Sequence, residues 1–169
     1  MNRIGRILTA VVLIAGGTLF AQPHSSTKNL KWEPFNVGIE RAKTDHKKVL
    51  IDIYAVWCSW CEKMDDSVYT DENVKDYISK NFVVIKMDAE AAGTLHYNGK
   101  DYSPAQLAAA FGVNGFPATL FLKDDSEPIT LLPGYVDARM FLHVLSYIAE
   151  NQYESKHFED YLKERGFKQ

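Results

Sequence analysis

Val49-Leu50-Ile51-Asp52-Ile53-Tyr54-Ala55-Val56-Trp57-Cys58-Ser59-Trp60-Cys61 is the stretch whose reading decides the fold. Val49 to Ala55 is a continuous apolar run broken once, by Asp52. Such a run suits a central strand buried on both faces, as in parallel sheets. The cysteine pair follows at once, and Glu62 to Ser67 continues as helix. The motif therefore lies where a strand hands over to a helix N-terminus. A sulfur at that place faces unpaired backbone N–H groups and the positive end of the helix dipole. Both favour thiolate over thiol, and thiolate is the nucleophile. Helical spacing puts the second sulfur on the same side, one turn along. On this geometry Cys58 is the outward attacking thiol and Cys61 the inner resolving thiol.

Cys58 and Cys61 are the only cysteines in the chain. A disulfide closing three residues restrains almost nothing in the unfolded chain, so the sulfur reads as reactive rather than structural. The alternatives are an inert pair or half of a metal site. Zinc would need two more ligands at suitable spacing, and the nearest histidines, His46 and His96, offer no second pair. Haem attachment would need histidine at position 62, where Glu62 stands. No metal and no cofactor is expected.

Asp52 is the next candidate. A lone buried carboxylate is costly, so it should be paired or partly neutralised. Beneath the motif, a carboxyl with a raised pKa would take the proton from Cys61 when that thiol attacks. The alternative is a strand-end aspartate facing solvent. Lys86, near the end of the next strand pattern, is the charge partner the sequence offers, unless it is simply a solvated lysine.

Outward from the motif, Asn36 to Lys47 reads as a helix, Glu72 to Lys80 as a helix opened by Asp71, and Phe82 to Met87 as a strand. Ala89 to Tyr102 is a polar insertion in which Asn98-Gly99 signals a two-residue hairpin. Its Tyr97 and Tyr102 are expected to be exposed, widening a client groove or capping the sheet. Ser103 caps a helix with Pro104 in its first turn. Ala118 to Leu122 and Ile129 to Leu132 read as a strand pair, Asp137 to Glu150 as an amphipathic helix, and Tyr153 to Gly166 as one extra helix. The fold class is α/β, a mixed central sheet flanked by helices, with a hairpin insertion and an extra C-terminal helix.

The 169 residues are 46% apolar, enough for one domain with a real core. A formal charge of −3 excludes the basic footprint of a nucleic-acid binder. Arg3 and Arg6 precede an uncharged, mostly apolar run from Ile7 to Phe20, shorter than the ~20 residues of a spanning helix. Residues 1–21 are expected to be a cleaved signal peptide, with cleavage after Ala21, or else an uncleaved anchor. Cleavage takes two arginines and leaves a charge of −5. Residues 22–30 read as a flexible leader, 31–150 as the domain, and 151–169 as a helical extension.

Asp52, the Trp57-Cys58-Ser59-Trp60-Cys61 motif, Gly115-Phe116-Pro117-Ala118-Thr119 and the later Gly134 closely resemble the thioredoxin superfamily, in the family's order. The signal segment, the Tyr54-Ala55-Val56-Trp57 lead-in and the insertion are similar to periplasmic thioredoxin-like proteins of the SoxW and DsbD C-terminal-domain kinds. The resemblance implies a thioredoxin fold and a dithiol that exchanges with protein disulfides. It implies that Pro117 is cis and lies against the cysteine pair, that Phe116 offers backbone groups to an incoming peptide, and that Trp57 packs beside the site. Asp52 matches the family's buried carboxyl. Trp60 departs from the cytosolic pattern; it adds partner-facing surface or only packs on its helix. Glu62, Asp65 and Asp66 oppose a thiolate, which favours a reductant over an oxidant. The reading is a periplasmic protein-disulfide reductase, a monomer, acting on cysteines of exported proteins and recharged by a membrane electron donor. An oxidase or isomerase, and a binding or metal-delivery module, are the rival readings.

Overall fold

The computed structural model describes residues 30–166. The signal segment, residues 22–29 of the leader and the last three residues lie outside the described residues. The elements run α1 (Phe35–Asp45), β1 (Lys48–Tyr54), α2 (Ser59–Ser67), α3 (Glu72–Asn81), β2 (Phe82–Asp88), β3 (Leu95–Tyr97), β4 (Lys100–Tyr102), α4 (Pro104–Ala110), β5 (Ala118–Leu122), β6 (Pro128–Pro133), α5 (Ala138–Ala149) and α6 (Phe158–Glu164). The main sheet has the order β2-β1-β5-β6, and β3-β4 form a separate hairpin. β1 runs parallel to β2 and antiparallel to β5, so the sheet is mixed.

β1 is buried on both faces, as its apolar run requires. Val49, Ile51 and Ile53 join Phe35, Ile39 and Ala42 of α1 and Leu107 of α4 in one core. Leu50 points the other way, into a second core with Met64 of α2, its C-cap Val68, Ile78 of α3, and Phe141 and Leu145 of α5. The C-terminal end of β1 thus emerges from a fully packed layer, and the cysteine motif starts there.

Three expectations need correction. Leu30, assigned to a flexible leader, is buried against the second core. Tyr97 is not exposed: it packs edge-on against Phe35 and Phe111, and its hydroxyl donates to the Ser126 carbonyl (2.8 Å). Tyr102, only partly exposed, packs against the same core. The hairpin therefore closes one end of that core.

Residues 153–166 are not one helix. A short 3₁₀ turn, Gln152–Glu154, is followed by extended His157 and only then by α6. The Tyr147 hydroxyl donates to the Lys156 carbonyl (2.6 Å) at the break. Tyr153, Phe158 and Tyr161 all reach the Tyr147 ring from different sides of that break, which one straight helix cannot arrange.

Gly38 marks the closest approach of α1 to the sheet. A Cβ there would lie 2.4 Å from Ile85 Cγ1 and 2.7 Å from its Cδ1, and Ile85 is fully buried. Gly38→Ala should lower unfolding stability by about 1–3 kcal/mol in denaturant titration, against the roughly 1 kcal/mol that helix propensity alone would add.

Candidate active site

Cys58 is the N-cap of α2. Its own N–H donates to the Ala55 carbonyl (3.0 Å), closing the turn out of β1. The Cys61 N–H reaches back to both the Cys58 carbonyl (3.0 Å) and the Cys58 Sγ (3.1 Å). Sulfur here occupies the place that a serine or aspartate oxygen usually takes at a helix start. The two cysteines form a disulfide, with Cα atoms 5.3 Å apart. Cys58 is 8% exposed and Cys61 5%, so the pair is distinguished by cap position more than by area. Ala55, Tyr54 and Phe116 pack around it.

Asp52 lies in mid-strand with 2% exposure, which removes the solvent-facing alternative. Its register partners are Lys86 on β2 and Thr119 on β5, and both side chains share its face of the sheet. Burial pushes the Asp52 carboxyl up to about 7, against the opposing pull of Lys86. Oδ2 lies 3.6 Å from the Lys86 ammonium, while Oδ1 is sealed without a hydrogen-bond partner. Two further buried hydroxyls, Tyr69 and Thr119, lie within reach of this carboxyl and of each other without a close hydrogen bond. Burial, reinforced by Asp52, raises the Tyr69 phenol well above its ordinary range. Sequence reasoning missed Tyr69 and Thr119. Thr119 was legible as the polar residue inside an apolar strand; Tyr69 carried no local signal.

Lys86 is not a solvated strand-end lysine. It also pairs with Asp65 of α2, and it lies over the rings of Trp32 (5.3 Å) and Tyr54 (5.2 Å). Asp65 is thus engaged by a cation rather than left to oppose a thiolate. A recess of about 310 Å³ lined by Trp32, Asp65, Tyr69 and Lys86 opens beside this cluster.

Trp57 and Trp60 are 68% and 54% exposed. Trp57 meets Phe116 edge-on (6.0 Å), and its indole N–H donates to Glu90 (2.8 Å). Trp60 leans on Tyr135 (5.4 Å), with Lys63 above both rings. Glu90 and Tyr135 carry no local signal of this placement. The Phe116–Pro117 peptide bond is cis. Pro117 accepts a hydrogen bond from the Gly134 N–H (2.8 Å), tying the 133–136 segment to the proline loop. All eight residues singled out from the sequence gather around the C-terminal half of β1 and the start of α2. Among the described residues, no group of three or more His, Cys, Asp and Glu side chains could hold a metal, and no helix is long and apolar enough to cross a membrane.

Residues 35–149 match the family model of the thioredoxin-like domain. The chain belongs to the thioredoxin-like family. This thioredoxin-like chain is 26% identical over 109 residues to the disulfide bond reductase DsbH of Chlamydia pneumoniae, covering 60% of itself and 61% of that protein. It is 29% identical over 106 residues to the thiol:disulfide interchange protein DsbD of Yersinia pestis, covering 62% of itself but 16% of that longer protein. A solved thioredoxin-fold protein from Helicobacter pylori superposes with a TM-score of 0.63 at 24% identity, over 73% of this chain and 83% of that one, which shows the fold. The relatives are thiol–disulfide oxidoreductases by name, and this chain carries the Cys-x-x-Cys pair.

The Asp52 carboxyl gives a pH signature. Its folded pKa, about 7, exceeds the ordinary 3.8, so between those values the folded protein holds a proton that the unfolded chain has lost. Stability should therefore fall as pH rises from 4 to 7 and level off above, a contribution on the order of 4 kcal/mol at most. In urea titrations, Asp52→Asn should be more stable than wild type at pH 8, with the gap closing at pH 4.

Proposed function

We propose that this protein is an exported protein-disulfide reductase whose Cys58–Cys61 dithiol passes two electrons to disulfides of other exported proteins. The single observation that carries the reading is Cys58 at the N-cap of α2 with the Cys61 N–H directed at its sulfur. A negative sulfur is stabilised by that N–H and by the helix dipole.

In the reduced protein, the Cys58 thiolate attacks one sulfur of a client disulfide. A Cys58–client S–S bond forms, and the other client sulfur leaves as thiolate. Cys61 then gives up its proton and attacks Cys58 Sγ. The intramolecular disulfide forms, and the second client sulfur departs. Client sulfur gains two electrons and the Cys58–Cys61 pair loses them. Asp52 is the proposed acceptor of the Cys61 proton. A base titrating near 7 is matched to that task at neutral pH, and Lys86 steadies its charged form. Trp57, Trp60, Phe116 and Pro117 are the proposed client-binding surface, with Phe116 offering backbone groups to an extended segment. A membrane dithiol donor would return the electrons.

The direction of flow is supported by Glu62 and Asp66 on α2, which Lys86 does not engage, and by the name of the chlamydial relative. Export is supported by the Arg3–Ala21 layout. The proposed catalytic unit is the 31–150 segment.

With dithiothreitol as donor, the protein should reduce insulin, and Cys58→Ser should fall to the uncatalysed rate. Cys61→Ser should instead accumulate a mixed disulfide visible on a non-reducing gel. Its reduction potential should lie nearer thioredoxin's, about −270 mV, than DsbA's, about −120 mV. Insulin reduction that survives Cys58→Ser would refute the mechanism; a potential close to that of DsbA would refute the direction.

A further inference from the structure

The two flanks of the disulfide carry opposite charges, each fixed on an aromatic ring. In the sheet order β2-β1-β5-β6, the motif leaves the end of β1. On the β2 side, the chain after β2 brings Glu90 to Trp57, where one carboxylate oxygen accepts the indole N–H (2.8 Å). Glu90 is further set by its own N–H, which donates to Asp88 (3.0 Å). On the β6 side, the chain after β6 brings Tyr135 to Trp60. There the Lys63 ammonium stands 5.3 Å from the Trp60 ring centre and 5.6 Å from that of Tyr135. Glu90 and Lys63 are both exposed, and among the described residues neither forms an ion pair with another side chain.

Between the flanks lies Phe116. It stands outside β5 and makes no backbone–backbone hydrogen bond among the described residues. An extended client segment pairing with that backbone as an added strand lies in one chain direction in the productive complex. A segment of fixed direction lying across the disulfide puts one side of its cysteine near Glu90 and the other near Lys63. If the segment were free to turn around, it could satisfy both charges either way. With its direction fixed, it cannot.

We infer that the cleft selects clients by the polarity of charge around their cysteine, favouring a cationic residue on the Glu90 flank and an anionic residue on the Lys63 flank. The inference rests on the disulfide-exchange reading above and adds the substrate class. Charges at the rim of a binding surface act mainly on encounter and register, and they are screened by salt.

The test uses two capped peptides, Lys-Ala-Cys-Ala-Glu and Glu-Ala-Cys-Ala-Lys, each as its symmetrical disulfide, and a neutral Ser-Ala-Cys-Ala-Ser control. The two charged peptides have the same composition and net charge and differ only in polarity. Wild type should reduce one polarity about fivefold faster by kcat/KM at low salt, a ratio that falls toward one in about 0.5 M salt. The double reversal Glu90→Lys with Lys63→Glu should invert the preference. Glu90→Gln and Lys63→Gln alone should each reduce it. Rates on the neutral peptide normalise each variant for its intrinsic turnover. A wild-type ratio below about twofold, or a preference that survives the double reversal, would overturn the inference while leaving disulfide exchange standing. Failure to reduce any of the three peptides would overturn the exchange reading and this one with it.

Discussion

A helix that begins on a cysteine is the constraint from which the rest of this structure follows. The Cys61 N–H reaches the Cys58 sulfur at 3.1 Å because Cys58 occupies the N-cap of α2. That placement requires β1 to end at Tyr54, four residues before Cys58. β1 can be held so firmly because both its faces are buried, one under α1 and α4 and the other under α2, α3 and α5. The position of the cysteine motif is thus set by the packing of β1 between two apolar cores.

The same burial makes Asp52 expensive. Its carboxyl has one oxygen near Lys86 and the other without a close hydrogen bond. Lys86 could have cancelled the cost of burial, but it is shared with Asp65 and held over Trp32 and Tyr54. A half-engaged cation leaves the carboxyl near neutrality's edge, at about 7, rather than fully ionised. The chain gives up stability at neutral pH to keep this carboxyl in its interior. The buried Tyr69 and Thr119 hydroxyls belong to the same polar pocket in the core.

The sequence stretch from Val49 to Cys61 made the fold and the redox pair legible because local rules govern it: strand burial, helix spacing and cap chemistry. The Asn98-Gly99 hairpin and the Ser103-Pro104 helix start were legible for the same reason, and the Ser103–Gln106 capping box bears this out. What escaped depends on contacts distant in sequence. Tyr97 looked like a loop tyrosine, yet its partners are Phe35, Phe111 and Ser126. The break at residues 155–157 obeys the Tyr147 ring and hydroxyl rather than any breaker residue. Asp65 read as a charge working against the thiolate, because only the fold reveals Lys86 beside it. Glu90 and Tyr135 carried no motif, and they reach the site solely because β2 and β6 flank β1 and β5.

Site-resolved alkylation of the fully reduced protein tests the central claim most directly. Iodoacetamide at neutral pH, followed by peptide mass spectrometry over time, reports which sulfur is nucleophilic. The capped helix start predicts rapid modification of Cys58 and protection of Cys61 until the protein is unfolded. Equal labelling of both cysteines, or faster labelling of Cys61, would contradict it.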